Sequence, residues 1–228
     1  MADVENAVFN DDDNKDTVHP FHNFGNVKLF SKDRIILLAD CRRFDPTLYD
    51  LEFEQQKKIY EVNLRKYTSK AIELFLNMIN VSEPRVPKAS LPTLIELLFI
   101  CQDCDMRDNE EMIELGMARE AMKCGHQWPL LIFACNDHGR GRDSTYYSLA
   151  EAALRTMTKE IFLHPLVIDE ETQTFESVTF WEALEELPLE DRQQLLKLTI
   201  KMPEPPSNEI QVTDDWERVA KEFEPEWS

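Results

Sequence analysis

The sequence predicts an all-α fold: an irregular multi-helix bundle, with one small β-hairpin near residues 168–180. Three observations point there. Only five glycines occur in 228 residues, and sheet-rich folds spend glycine on turns and bulges. Apolar residues recur at three- and four-residue steps over long stretches, the period of a helix. One segment, TLIELLFICQDCD (93–105), is apolar on almost every side, which suits a helix at the centre of a bundle. A chain of this length buries roughly 70% of its unfolded surface, so it needs neither disulfide nor metal to fold.

The elements follow in order. Residues 1–27 read as a disordered acidic N-terminus, because Asp11-Asp12-Asp13 repels itself and buries nothing. His19 and His22 in HPFHNF have His-x-x-His spacing, but further ligands are missing nearby. The segment reads as a surface turn whose two aromatics touch the domain. The helical domain spans 28–202. SKDRIILLADCRRF (31–44) is expected to be its first helix, with Ser31 as cap and Asp33 in the first turn. Asp45 and Pro46 open the next, running to Asn80, with Tyr60, Leu64, Tyr67, Ala71, Phe75 and Met78 as its stripe. After a proline-rich loop, Ser90 and Pro92 begin a third helix. NEEMIELGMAREAMKCG (109–125) runs from acidic residues to a terminal glycine, the expected asymmetry of helix caps. WPLLIFACNDHG is a short buried element. Another helix begins near Ser144 and ends before Pro165. VIDEETQTFESVTF carries β-branched residues around an acidic turn, hence the hairpin. Two further helices precede PEPPSNEIQVTDD, a linker by composition. Residues 203–228 then form an acidic linker and docking tail.

Charge excludes several classes of partner. With a formal net charge of −19, the chain is repelled by nucleic acid and by anionic lipid. Other proteins, including ones with a basic surface, are the expected partners. No stretch is long and apolar enough to span a bilayer, and the acidic N-terminus lacks a secretory leader's basic start. The expected location is the cytoplasm, with the nucleus as the alternative, where five cysteines stay reduced.

Two sets of residues carry the functional candidates. The first is Cys101, Cys104, Cys124, His126, Cys135 and His138, whose pairwise spacing fits a structural zinc site. Each of the four thiols, Cys101, Cys104, Cys124 and Cys135, also extends an apolar helical stripe, where a small hydrophobe belongs on a buried face, and core packing is the first reading. No cofactor is expected on that reading, and zinc is the alternative. A zinc-stabilised or cysteine-dependent enzyme centred on residues 101–142 is the corresponding functional alternative. No Walker loop, His-Glu-x-x-His or Gly-x-Ser-x-Gly appears, so no catalytic residue is assigned.

The second set lies in the tail and one loop. In TDDWERVAKEFEPEWS, Trp216, Val219, Ala220 and Phe223 fall on one face of a two-turn helix. So short a helix must dock on its own domain or on a partner. Trp216, Val219, Phe223 and Trp227 are the expected partner anchors, and Arg140 and Arg142 of DHGRGRDS could grip an acidic group. DDWERV also resembles the short motif by which autophagy receptors bind ubiquitin-like modifiers, which implies an extended peptide added to a sheet edge. The expectation is a non-catalytic adaptor or regulator, acting through its helical surface and acidic tryptophan tail.

Overall fold

VKLFSKDRIILLA (27–39) folds as two strands, and the all-α expectation fails with it: the protein mixes helices with a four-stranded sheet and two small ones. The structure, a computed structural model, describes residues 16–25, 27–39, 60–79, 85–104, 106–123, 125–136, 144–169, 172, 174–201 and 211–223. The chain divides into two units, Met1–Glu83 and Pro84–Ser228.

In the first unit, β1 (Thr17–Val18), β2 (Val27–Ser31), β3 (Ile35–Ala39) and β4 (Tyr60–Leu64) form a sheet ordered β1-β3-β2-β4. Antiparallel pairing sets Val27 opposite Ala39 and Leu29 opposite Leu37. All four are buried, as the two-residue strand period requires for one covered face. β1 runs parallel to β3, and β4 parallel to β2. Helix α1 (Ser69–Ile79) packs on β2 and β3 and buries Ala71, Ile72, Phe75, Leu76 and Met78. The helix expected over 46–80 is therefore shorter and preceded by a strand, and residues 46–59 lie outside the described residues. β1 falls within the stretch expected to be disordered.

Polar side chains decide the hairpin. Ser31 Oγ donates to the Ile35 carbonyl at 2.7 Å and accepts from its N–H at 2.8 Å, closing a turn in which Arg34 takes φ 60°. Asp33 accepts the Ser69 N–H at 2.9 Å and its hydroxyl at 2.6 Å. Ser31 therefore caps no helix. Ser31 closes the turn, and Asp33 serves the first turn of α1 rather than a helix of its own. In the turn after β1, His19 Nδ1 accepts the N–H of Phe21 and of His22, at 3.3 and 3.1 Å. Gly25 sits at φ +142°, where a Cβ would lie 2.1 Å from the Ala39 carbonyl oxygen. Only glycine fits there. This pinned turn leaves Phe21 and Phe24 83% and 90% exposed, so these rings do not cover the domain as expected.

The second unit holds α2 (Leu91–Asp103), α3 (Arg107–Ala121), α4 (Gln127–Asn136), α5 (Ser144–Arg155) and α6 (Lys159–Leu163). There follow β5 (Leu166–Ile168), β6 (Phe175–Ser177), α7 (Phe180–Glu185), α8 (Leu189–Thr199), β7 (Ile200–Lys201), β8 (Gln211–Val212) and α9 (Trp216–Glu222). β5 and β6 pair antiparallel in the expected hairpin region. β7 pairs with β8 across what reads as linker. The apolar segment of α2 buries Leu91, Leu94, Leu97, Leu98, Ile100 and Cys101, and each fully buried leucine contributes about 1.5–3 kcal/mol. Trp128 of α4 is fully buried, with its indole N–H shared by the carbonyls of Ile161 and Phe162 at 3.2 Å. Its ring lies 5.5 Å from Phe162, which in turn lies 4.9 Å from Phe180 and 5.1 Å from Trp216.

Candidate functional site

The thiols come first, because their chemistry depends on burial. Cys101 of α2 and Cys135 of α4 are buried as expected, but Cys104, at the C-cap where α2 ends, is exposed and not on the buried face expected for it. Burial pushes the Cys101 thiol up to about 12, with Cys104 and Glu110 adding to the effect. Burial also raises Cys104, helped by Asp103. Cys135 is driven well above its ordinary value by burial and by the neighbouring Asp191 carboxyl, to which it is hydrogen-bonded. These shifts favour the protonated thiol at all three near neutral pH, which does not prepare them as nucleophiles.

His126 precedes α4 and stacks on Phe175 at 4.3 Å. Its Nδ1 lies 3.3 Å from a Glu120 carboxylate oxygen, and burial lowers its pKa against the pull of Glu120. Glu120 also holds Lys123 at 2.5 Å. Among the described residues, no three His, Cys, Asp or Glu side chains are placed to share a metal ion. Cys124 and His138 lie outside the described residues, as do Arg140, Arg142 and Trp227.

The tail helix docks on its own unit. Trp216, Val219 and Phe223 are buried, with α9 packed against α5 and α8. Asp215 caps it by accepting the Arg218 N–H at 3.1 Å, and Arg218 donates to the Leu198 carbonyl at 3.0 Å. The helix holds DDWERV away from the extended form that its motif resemblance implies. While α9 stays docked, Trp216, Val219 and Phe223 face inward.

What the unit does present is a groove between α3 and α5. Leu115, Ala118, Arg119 and Met122 line one side; Ser148, Glu151, Ala152, Arg155 and Thr156 line the other. Both series follow i, i+3, i+4, i+7, the spacing of one helix face. Leu115 and Met122 are 47% and 75% exposed and border an open cavity of about 300 Å³. Arg155 is paired with Glu151 at 2.7 Å and with Glu217 at 3.6 Å. Thr156 Oγ1 donates to the Ala121 carbonyl at 2.9 Å and ties the end of α5 to α3.

Sequence reasoning missed this groove, although a signal existed. Leu115 and Met122 lie off the buried stripe Ile113, Met117, Ala121, so a helix buried on one side carried apolar residues on another. Comparison with protein-family models, with curated proteins and with solved structures finds no match.

Proposed function

We propose that this chain is a non-catalytic protein-interaction module, an adaptor or regulator that receives apolar side chains of a partner protein in the α3–α5 groove. The observation that supports the reading is an open, apolar-walled trough on a well-packed helical unit. Paired helices with a trough between them suit an amphipathic helix laid along it. An unbranched methionine at the wall adapts to different occupants. Raised thiol pKa values disfavour cysteine chemistry at Cys101, Cys104 and Cys135.

The acidic balance favours basic proteins over nucleic acid or anionic membrane as partners. Among the described residues no helix is long and apolar enough to cross a membrane, and a cytoplasmic or nuclear setting completes the proposal. The test is affinity capture from cell extract with the wild-type chain and with Met122→Glu. Met122 is mostly exposed, so this change alters the groove and spares the fold. Partners retained by the wild type should be lost by the variant. An unchanged set of captured proteins rejects the groove.

A further inference from the structure

We infer that the solvent face of α7 is a docking site for an arginine- or lysine-bearing segment of a partner protein. This rests on the interaction-module reading but uses a surface separate from the groove. Ala183 and Leu184 are the buried side of α7. Trp181, Glu182, Glu185 and Glu186 are all exposed. Helical spacing sets Trp181 and Glu185 one turn apart on one side, with Glu182 and Glu186 beside them.

Trp181 is 64% exposed yet stands on a fixed base. Its ring meets Phe180 edge-on at 5.2 Å, and Phe180 packs on Phe162 in the interior. A capping box locks the start of the helix. Thr179 Oγ1 accepts the Glu182 N–H at 3.3 Å, and Glu182 Oε2 accepts the Thr179 N–H at 2.7 Å. That backbone bond holds the Glu182 carboxyl below its usual range, so it stays ionised. The nearby Arg192 guanidinium is engaged by the carbonyls of Glu185 and Leu187, at 2.9 and 3.1 Å.

An indole face flanked by carboxylates is suited to a guanidinium or ammonium group. The ring quadrupole attracts the cation, and the carboxylates add charge-assisted hydrogen bonds. Tryptophan is among the side chains that dominate binding energy, and a pre-set ring loses little freedom on binding. Charge selects the occupant. A cation is favoured both by the local carboxylates and by the −19 of the whole chain, and an acidic segment is opposed by both.

The experiment titrates the full chain into a dye-labelled peptide of alternating arginine and glycine, read by fluorescence anisotropy at physiological salt. Lysine and glutamate versions of the peptide run alongside. Trp181→Ala should weaken the arginine peptide at least about 10-fold, and Trp181→Phe should keep most of the affinity. Glu185→Gln with Glu186→Gln should also weaken binding. Glu111→Gln with Glu160→Gln makes the same charge change at two other exposed sites and should leave binding unaltered. Circular dichroism checks that each variant folds.

Several results would overturn the proposal. These are a Trp181→Ala variant that binds like the wild type, equal weakening by the two glutamine pairs, equal binding of the glutamate peptide, or no binding of either basic peptide. A captured set left unchanged by Met122→Glu, with peptide binding retained, would reject the groove alone; capture lost in Met122→Glu, with no binding of the basic peptides, would reject this face alone.

Discussion

In Met1–Glu83 the contacts that set the turns and the helix start are polar: Ser31 closing its own turn, Asp33 reaching Ser69, and His19 Nδ1 holding two backbone amides. In Pro84–Ser228 the path is set by apolar burial, with Leu94, Leu97, Leu98, Ile113, Trp128 and Phe162 all removed from water. The first arrangement is vulnerable to loss of single acceptors or of a glycine. The second is vulnerable to voids. The difference teaches where each kind of substitution should hurt, and four changes sharpen or break it.

Trp128→Ala should have the largest effect. It removes a fully buried indole, and such truncations cost about 3–5 kcal/mol. Urea denaturation followed at the helical circular-dichroism band measures it, and a loss below about 1 kcal/mol would show that burial does not dominate the helical unit. Next comes Gly25→Ala. Strained backbone of this kind costs about 1–3 kcal/mol, and the 2.1 Å approach to Ala39 adds to it. Hydrogen exchange at the β2 and β3 amides should accelerate; unchanged protection would remove the turn from the account.

Asp33→Asn should then cost about 1 kcal/mol, as other lost helix caps do. Its pH signature is specific. Burial pushes the Asp33 carboxyl up, but bonds from Ser31 and Ser69 outweigh this and hold it below its ordinary 3.8. A carboxyl lowered in the folded state stabilises fully above the unfolded value. That stabilisation is lost as pH falls through the folded one. Acid titration of the wild type should therefore show a fall in α1 protection below about pH 4, and the asparagine variant should lack it. The smallest effect is expected for Arg218→Ala. Its exposed pairs with Glu222 at 2.8 Å and Asp215 at 3.8 Å are worth about 0.2–1 kcal/mol each by double-mutant cycle.

The same contrast explains what was legible in the sequence. Burial with helical period is written along the chain. α2 was readable from Ser90, Pro92 and the apolar run, and the buried face of α9 from Trp216, Val219, Ala220 and Phe223. Cys101 and Cys135 occupy the small-hydrophobe positions that their stripes imply. The sheet was not readable, because IILLA fits a buried strand and a helical turn equally, and Ser31 and Asp33 suggest a cap in either case. Which helix Asp33 serves depends on Ser69, a contact thirty-six positions away that no local window contains. The groove was half legible. Leu115 and Met122 are apolar residues off the buried face, but only the approach of α5 turns them into walls. Trp181 shows the converse, an aromatic in a helical segment that the fold leaves in water.

The reach of Asp33 from a hairpin turn to the first amide of α1 gives assembly a direction. Until Ser31 has closed the turn, the carboxylate has no fixed position, and the Ser69 N–H lacks this acceptor. Nucleating a first helical turn is the unfavourable step in making any helix. In this unit Asp33 supports that first turn alongside Thr68, so pulling the hairpin apart should loosen α1 at its N-terminus.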